Sequence, residues 1–206
     1  KEINLFAERM RRMFGMLKDL LHETNENEFN KLFSRIEKYE NISDNMELEI
    51  ANYLNKVSEG RLSSESKLEI RGMLREVTEI ESIGDSCYNL ARTINRKRSG
   101  GNDFTEKQYE HIHQMMQLTD DALAQMIAIV EDDYHVVDVN KTFNLENEIN
   151  NYRAQLKNQN VVDVNNKEYD YQMGVHYMDL IGECEKLADY VVNVVEARTN
   201  VKEKKA

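Results

Sequence analysis

Proline is absent from all 206 residues of the chain. Proline marks turns, loops and edge strands, so an all-β or α/β domain of this length would normally contain several. The chain is instead rich in Glu, Lys, Leu, Met, Asn and Ala, several of them residues of high helix propensity. These two features predict an all-α fold in which long helices are joined by short loops.

Charge and cysteine usage exclude several classes of protein. The chain has 38 acidic against 27 basic residues and a net charge of −11, which argues against a nucleic-acid binder. The longest apolar runs, 124–130 and 190–195, are far shorter than the roughly 20 residues of a membrane helix. Cys87 and Cys184 lie in apolar helical patterns, which predicts buried free thiols in a reducing compartment.

The spacing of apolar residues predicts six helices, at about 2–22, 28–57, 64–97, 106–131, 142–158 and 168–197. Ser63 or Ser64 and Thr105 are suitable N-caps for the third and fourth helices. The third carries a heptad pattern at Ile70, Met73, Val77, Ile80, Gly84, Cys87, Ala91 and Ile94. Gly100 and Gly101 form the strong break near the middle of the chain.

The two halves of the chain are related by an internal repeat. A shift of 104 residues places the third helix on the sixth with apolar or small residues matched and four polar identities, Glu79/Glu183, Glu81/Glu185, Asp85/Asp189 and Asn89/Asn193. A shift of 106 places the second helix on the fifth through Glu40/Glu146, Asp44/Asn150 and Ile50/Leu156. We therefore predict a six-helix bundle of two tandem three-helix repeats, residues 1–101 and 102–206.

Acidic pairs four residues apart recur in both repeats. Such pairs share one helix face and repel each other, so they are either solvated or compensated by a cation. The candidate metal ligands are Glu40, Asp44, Glu81 and Asp85 in the first repeat, and Glu146, Asn150, Glu185 and Asp189 in the second. Oxygen ligands suit Mg, Mn, Ca or Fe, and Asn150 predicts weaker binding in the second repeat. The alternative is an acidic helix flank paired with Lys and Arg.

Three segments carry a family resemblance: residues 40–54 (ENISDNMELEIANYL), 79–91 (EIESIGDSCYNLA) and 182–189 (GECEKLAD). They resemble the PhoU family, although Ser82 stands where that family commonly has Arg. The resemblance implies a bundle of two three-helix repeats, metal clusters at the acidic motifs, and a regulatory rather than enzymatic role in phosphate transport.

Two versions of this family compete. The residues Asn52, Tyr53 and Leu54, the absence of Met at position 1 and the basic first helix favour the cytoplasmic C-terminal domain of a bacterial sodium/phosphate cotransporter. This version expects an upstream transporter in the same chain, at the cytoplasmic face of the bacterial inner membrane, and allows a homodimer. The alternative is a free-standing phosphate-signalling regulator, in which the basic residues Arg9, Arg11, Arg12 and Lys18 form an ordinary solvated face.

A rival of another class is a carboxylate-bridged di-metal oxidase of the ferritin type, which needs Glu-x-x-His on two helices. Glu110 and His113 have this spacing, and Asp19 and His22 come close to it. The two histidines are 91 residues apart rather than 104 to 106, so they do not occupy equivalent repeat positions. We therefore interpret them as surface histidines and predict that the protein is not an enzyme.

Overall fold

The structure is a computed structural model that describes residues 1–132 and 137–203. These residues form six helices, which confirms the predicted all-α, two-repeat fold class. Their bounds are α1 Glu2–His22, α2 Glu26–Ser58, α3 Ser64–Ser99, α4 Glu106–Glu131, α5 Asn140–Asn165 and α6 Tyr171–Glu203.

Side-chain caps explain where three of the helices begin. The Asn25 side chain accepts a hydrogen bond from the backbone N–H of Glu28, so α2 begins two residues before the predicted start. Ser63 caps α3, and Thr105 forms a capping box with Gln108 at the start of α4. The predicted caps of α3 and α4 are thus confirmed.

The predicted bounds of α5 were wrong at its C-terminal end. The polar run after residue 158 continues the helix to Asn165, because it contains no proline or glycine that would stop it. Lys167, with φ of 61°, turns the chain out of the helix, and α6 then begins at Tyr171. The connection between α5 and α6 is therefore shorter than the predicted bounds of the two helices indicated.

The six helices form two similar three-helix units that face each other. Within each unit the three helices contact one another, while α1 contacts α4 and α3 contacts α6 between the units. The buried side chains form one cluster drawn from both units, including Phe6, Phe14, Ile80, Leu123 and Val191. Cys87 and Cys184 are both buried and free, as predicted.

Two surface features differ from the expectations. The spacing of apolar residues in α2 predicts that Tyr53 lies on one side with Ile36, but Tyr53 is 68% exposed, and the buried face runs through Ile36, Ser43 and Leu54. On α1, both Arg11 and Lys18 form ion pairs with Asp120 of α4, so part of the basic cluster serves contacts within the bundle.

Within residues 1–132 and 137–203, none of the helices combines the length and the apolar composition needed to cross a bilayer.

Candidate functional site

Two of the four pairs of identical polar residues in the repeats lie in the contact between α3 and α6. The side-chain amide of Asn89 donates to Glu183 Oε1 at 3.3 Å, and that of Asn193 donates to Glu79 Oε2 at 3.0 Å. Each hydrogen bond is the image of the other under the 104-residue shift. These four residues therefore join the two repeats, and the carboxylate pairs flanking this contact are left as the candidate sites.

The first candidate site lies where α2 meets α3. Glu40 and Asp44 of α2 and Asp85 of α3 each offer a carboxylate oxygen, and these oxygens lie within 4.8 Å of one another. The two helices approach closely because residue 84 is a glycine: a Cβ there would lie 2.8 Å from Ser43 Oγ and 2.9 Å from Met10 Sδ. The structure thus brings three of the candidate ligands together.

Glu81 joins this cluster from the preceding turn of α3. Burial, a hydrogen bond with Asp85 and the nearby negative charges raise the pKa of Glu81 to about 8. Burial and the charges of Asp44 and Asp85 likewise raise the pKa of Glu40. Burial and mutual repulsion therefore make this cluster keep its protons to a higher pH than separate carboxylates would.

A fifth carboxylate, Glu47, lies beside the four predicted ligands. It accepts a hydrogen bond from Thr78 Oγ1 at 3.2 Å, and its charge acts on Glu81. In the described part of the chain, no lysine or arginine forms an ion pair with any of the five acids. The interpretation of an acidic flank paired with Lys and Arg therefore does not describe the first repeat.

The second repeat arranges its equivalent residues differently. Asn150 donates to Glu146 Oε1 at 2.6 Å, and Arg153 Nε lies 2.5 Å from Glu185 Oε2. Burial raises the pKa of Glu185, and the positive charge of Arg153 opposes this rise. Burial and the charge of Glu146 raise the pKa of Asp189. In the second repeat, one carboxylate is thus paired with a cation of the chain and another accepts a hydrogen bond from an amide.

Arg153 was missed by the sequence analysis, although the signal was present. The 106-residue shift that relates α2 to α5 places Arg153 at the position of Glu47. One repeat therefore has five carboxylates, while the other has three carboxylates, an amide and a guanidinium. The difference in charge between the two sites amounts to three: one from Asn150 and two from Arg153.

The donor set of the first repeat fits a hard cation. Carboxylate oxygens are the ligands that Mg²⁺, Mn²⁺, Ca²⁺ and iron prefer. Within the described residues, the group of three ligand-bearing side chains that converges contains no histidine, so the Glu-x-x-His arrangement of a di-iron oxidase is not formed there. In the second repeat, Arg153 already neutralises Glu185, and the remaining donors suit a cation less well.

Comparisons with known proteins agree with this architecture. The model of the PhoU domain family matches residues 3–94 and 112–197. The solved structure of the phosphate transport system regulatory protein PhoU from Streptococcus pneumoniae is similar with a TM-score of 0.80 and 14% identity, covering 98% of this chain and 92% of that one. PhoU from Pseudomonas aeruginosa is similar with a TM-score of 0.74 and 12% identity, over 98% and 94% of the two chains. No curated protein sequence matches the chain. Because the family model covers both repeats, the chain belongs to the PhoU family.

Proposed function

We propose that this protein is a free-standing PhoU-type regulator of phosphate transport that performs no chemistry of its own. The observation that carries this proposal is the match of both repeats to the PhoU domain, together with similarity over 92% of a phosphate transport regulator. This proposal puts the free-standing version before the cotransporter version, which the sequence had favoured. The sequence features that favoured a cotransporter domain carry less weight than these matches. Arg11 and Lys18 of the basic helix are engaged with Asp120 within the bundle.

Regulation requires a partner that exists in two states. A bound protein shifts the equilibrium of a transporter only if its affinity differs between the transporter's conformations. We therefore place the protein at the cytoplasmic face of a membrane phosphate transporter, bound through the outer surfaces of the bundle. The cotransporter version remains the second candidate and makes the same contact from within one chain.

The test is phosphate uptake by cells of the source organism with and without the gene. Radiolabelled phosphate uptake at high external phosphate should change on deletion and return when the wild-type gene is restored. Repeating the measurement with sodium replaced by potassium separates the two versions, because a cotransporter domain acts only on the sodium-dependent component. Uptake that is identical in the presence and absence of the gene would contradict both versions.

We also propose that the first-repeat cluster binds a divalent cation or iron, and that the second binds none. Glu40, Asp44, Glu81 and Asp85 would hold the ion, with Glu47 adding charge beside it. A bound ion would relieve the repulsion that raises the pKa of Glu81. In the second repeat, Arg153 pairs with Glu185 and Asn150 donates to Glu146, so the equivalent positions Glu146, Asn150, Glu185 and Asp189 carry less uncompensated charge.

The repeat supplies a matched control for this test. Metal content is measured by elemental analysis of protein purified without chelator and then equilibrated with Mn²⁺. Glu81→Gln with Asp85→Asn should remove the bound metal, whereas the equivalent change Glu185→Gln with Asp189→Asn should leave it in place. Equal metal content in both double variants would overturn the assignment to the first repeat. Two irons per chain with oxygen reactivity would instead support the oxidase.

A further inference from the structure

Two histidines that the sequence analysis left as separate surface residues meet in the structure. His22 is the last residue of α1, and His113 lies in the second turn of α4. Their Nε2 atoms are in contact, and their ring centroids are 4.6 Å apart with the rings tilted by 48°. The pair therefore joins the two repeats at one end of the bundle, more than 90 residues apart in sequence.

The charged groups near the two histidines are paired with one another. The two Nε2 atoms are therefore the potential ligands that face each other. The nearby cation, Lys97, is neutralised by Asp103, to which Tyr109 also donates a hydrogen bond at 2.5 Å. Partial burial and the charge of the neighbouring His113 lower the pKa of His22. A lower pKa favours the neutral imidazole, which is the form that binds metal.

The local backbone also favours a positive ion. The C-terminus of a helix carries a partial negative charge, and His22 stands at that end of α1. The next two carbonyls after the helix, those of Glu23 and Thr24, accept hydrogen bonds from the guanidinium of Arg98 at 2.6 and 2.9 Å. The chain thus already places one cation beside this helix end.

We propose that His22 and His113 form a second metal site, for a late first-row transition dication such as Ni²⁺, Cu²⁺ or Zn²⁺. Imidazole nitrogen suits these ions, whereas the carboxylate cluster suits harder ones, so the two sites differ in preference. Small rotations of the two exposed rings open the space for the ion, and water completes its coordination. The bound ion cross-links α1 to α4 and therefore the first repeat to the second.

The experiment is titration of the purified protein with Ni²⁺ by calorimetry, in the Glu81→Gln/Asp85→Asn background that disables the carboxylate cluster. His22→Gln and His113→Gln should each weaken Ni²⁺ binding at least about tenfold, since even the indirect partners of metal ligands have effects of that size. His111→Gln is the matched control, because His111 lies on the same helix and its Nδ1 contacts the hydroxyl of Tyr177. It should bind Ni²⁺ like its parent.

Spectroscopy gives an independent readout. Cu²⁺ bound to the protein should show hyperfine coupling to two nitrogen nuclei in its electron paramagnetic resonance spectrum, and to one or none after His22→Gln. A Ni²⁺-dependent rise in Tm that disappears in the same variant would agree. If Ni²⁺ binding is absent, or is equal in His22→Gln and His111→Gln, the proposal is overturned, and the contact is a hydrogen bond between two imidazoles.

Discussion

Asn89 and Glu183 are joined by a hydrogen bond that has a mirror image between Asn193 and Glu79. The members of each bond come from different repeats, so the two halves hold each other through the same chemistry twice. Along α3 the two contacts are ten residues apart, which is about 15 Å of helix. They are therefore independent points of attachment.

We predict that Asn89→Ala and Asn193→Ala each lower the free energy of unfolding by about 1 to 2 kcal/mol, because each removes a hydrogen bond to a charged group. Since the contacts are far apart, the double variant should lose the sum of both. Chemical denaturation measures the three values. Asn55→Ala, at an exposed position of α2, corrects for the higher helix propensity of alanine. A double variant no worse than either single one would show that the two contacts are coupled.

Glu47 and Arg153 occupy equivalent positions with opposite charges. Exchanging these charges should therefore exchange the metal-binding properties of the two sites. Glu47→Arg should weaken Mn²⁺ binding at the first site by at least about tenfold, because it introduces the cation that neutralises the second site. Arg153→Glu together with Asn150→Asp should give the protein a second bound Mn²⁺. Calorimetric stoichiometry measures both.

Neighbouring exposed residues on the same helices give the controls for this exchange. Glu49→Arg on α2 changes the net charge of the protein by the same amount as Glu47→Arg, and Lys157→Glu with Asn158→Asp on α5 changes it by the same amount as Arg153→Glu with Asn150→Asp. They should leave affinity and stoichiometry unchanged. Equal effects of Glu47→Arg and Glu49→Arg would attribute the loss to overall charge rather than to the site.

The raised pKa of Glu81 predicts how stability depends on pH without metal. The folded protein holds this proton up to a pH of about 8, whereas the unfolded chain releases it near 4.5. The contribution of protonated Glu81 to the free energy of unfolding is therefore fully present at low pH and is lost as pH rises from about 5 to about 8. In EDTA, Tm should fall more steeply across this window in the wild type than in Glu81→Gln. Parallel profiles would contradict the assignment of the shift to Glu81.

Two glycines predict opposite outcomes for the same substitution. At Gly84 a methyl group would press on Ser43 and Met10, so Gly84→Ala should destabilise the protein by about 1 to 3 kcal/mol. At Gly15, within α1, a methyl group would meet nothing within 4 Å. Gly15→Ala should therefore stabilise it by about 0.5 to 1 kcal/mol through helix propensity. Thermal unfolding of both variants checks this, and a neutral Gly84→Ala would show that α2 can move away from α3.

A buried ion pair between α3 and α6 has an apolar counterpart in the mirror position. Glu76 is 2% exposed, and its Oε2 lies 3.1 Å from Arg198 Nη2. The 104-residue shift relates them to Leu180 and Ile94, which line one small apolar cavity together. Arg198→Ile alone should cost up to about 3 kcal/mol, because it removes the guanidinium that lies against this buried carboxylate. Adding Glu76→Leu should recover most of this loss in chemical denaturation, and a double variant as unstable as Arg198→Ile would contradict this.

The sequence predicted the helices and their repeat better than the surfaces. Helical periodicity and capping residues are local, so α1, α3 and α4 begin where the pattern indicated. The buried face of α2 was harder to predict from the sequence, because Ser43 is buried against Gly84 although serine is polar. The meeting of His22 with His113 could not be predicted from the repeat, since they occupy non-equivalent positions.

Arg153 could have been identified from the sequence, because the 106-residue shift already pairs it with Glu47. Identities between the repeats do not reveal a pair of opposite charges such as Glu47 and Arg153. A reversal of charge at matched positions is as informative as an identity, since it indicates which copy carries a counter-ion of its own.

The guanidinium of Arg153 makes the two halves of the bundle respond differently to their surroundings. A half that carries its own counter-ion keeps the same electrostatics whatever ions are supplied. Under the proposed metal binding, the half with five acids would lose its internal repulsion when the ion is supplied and regain it when the ion is withdrawn. Because the hydrogen bonds of Asn89 and Asn193 tie both halves together, the constant half would then serve as the reference for the one that responds.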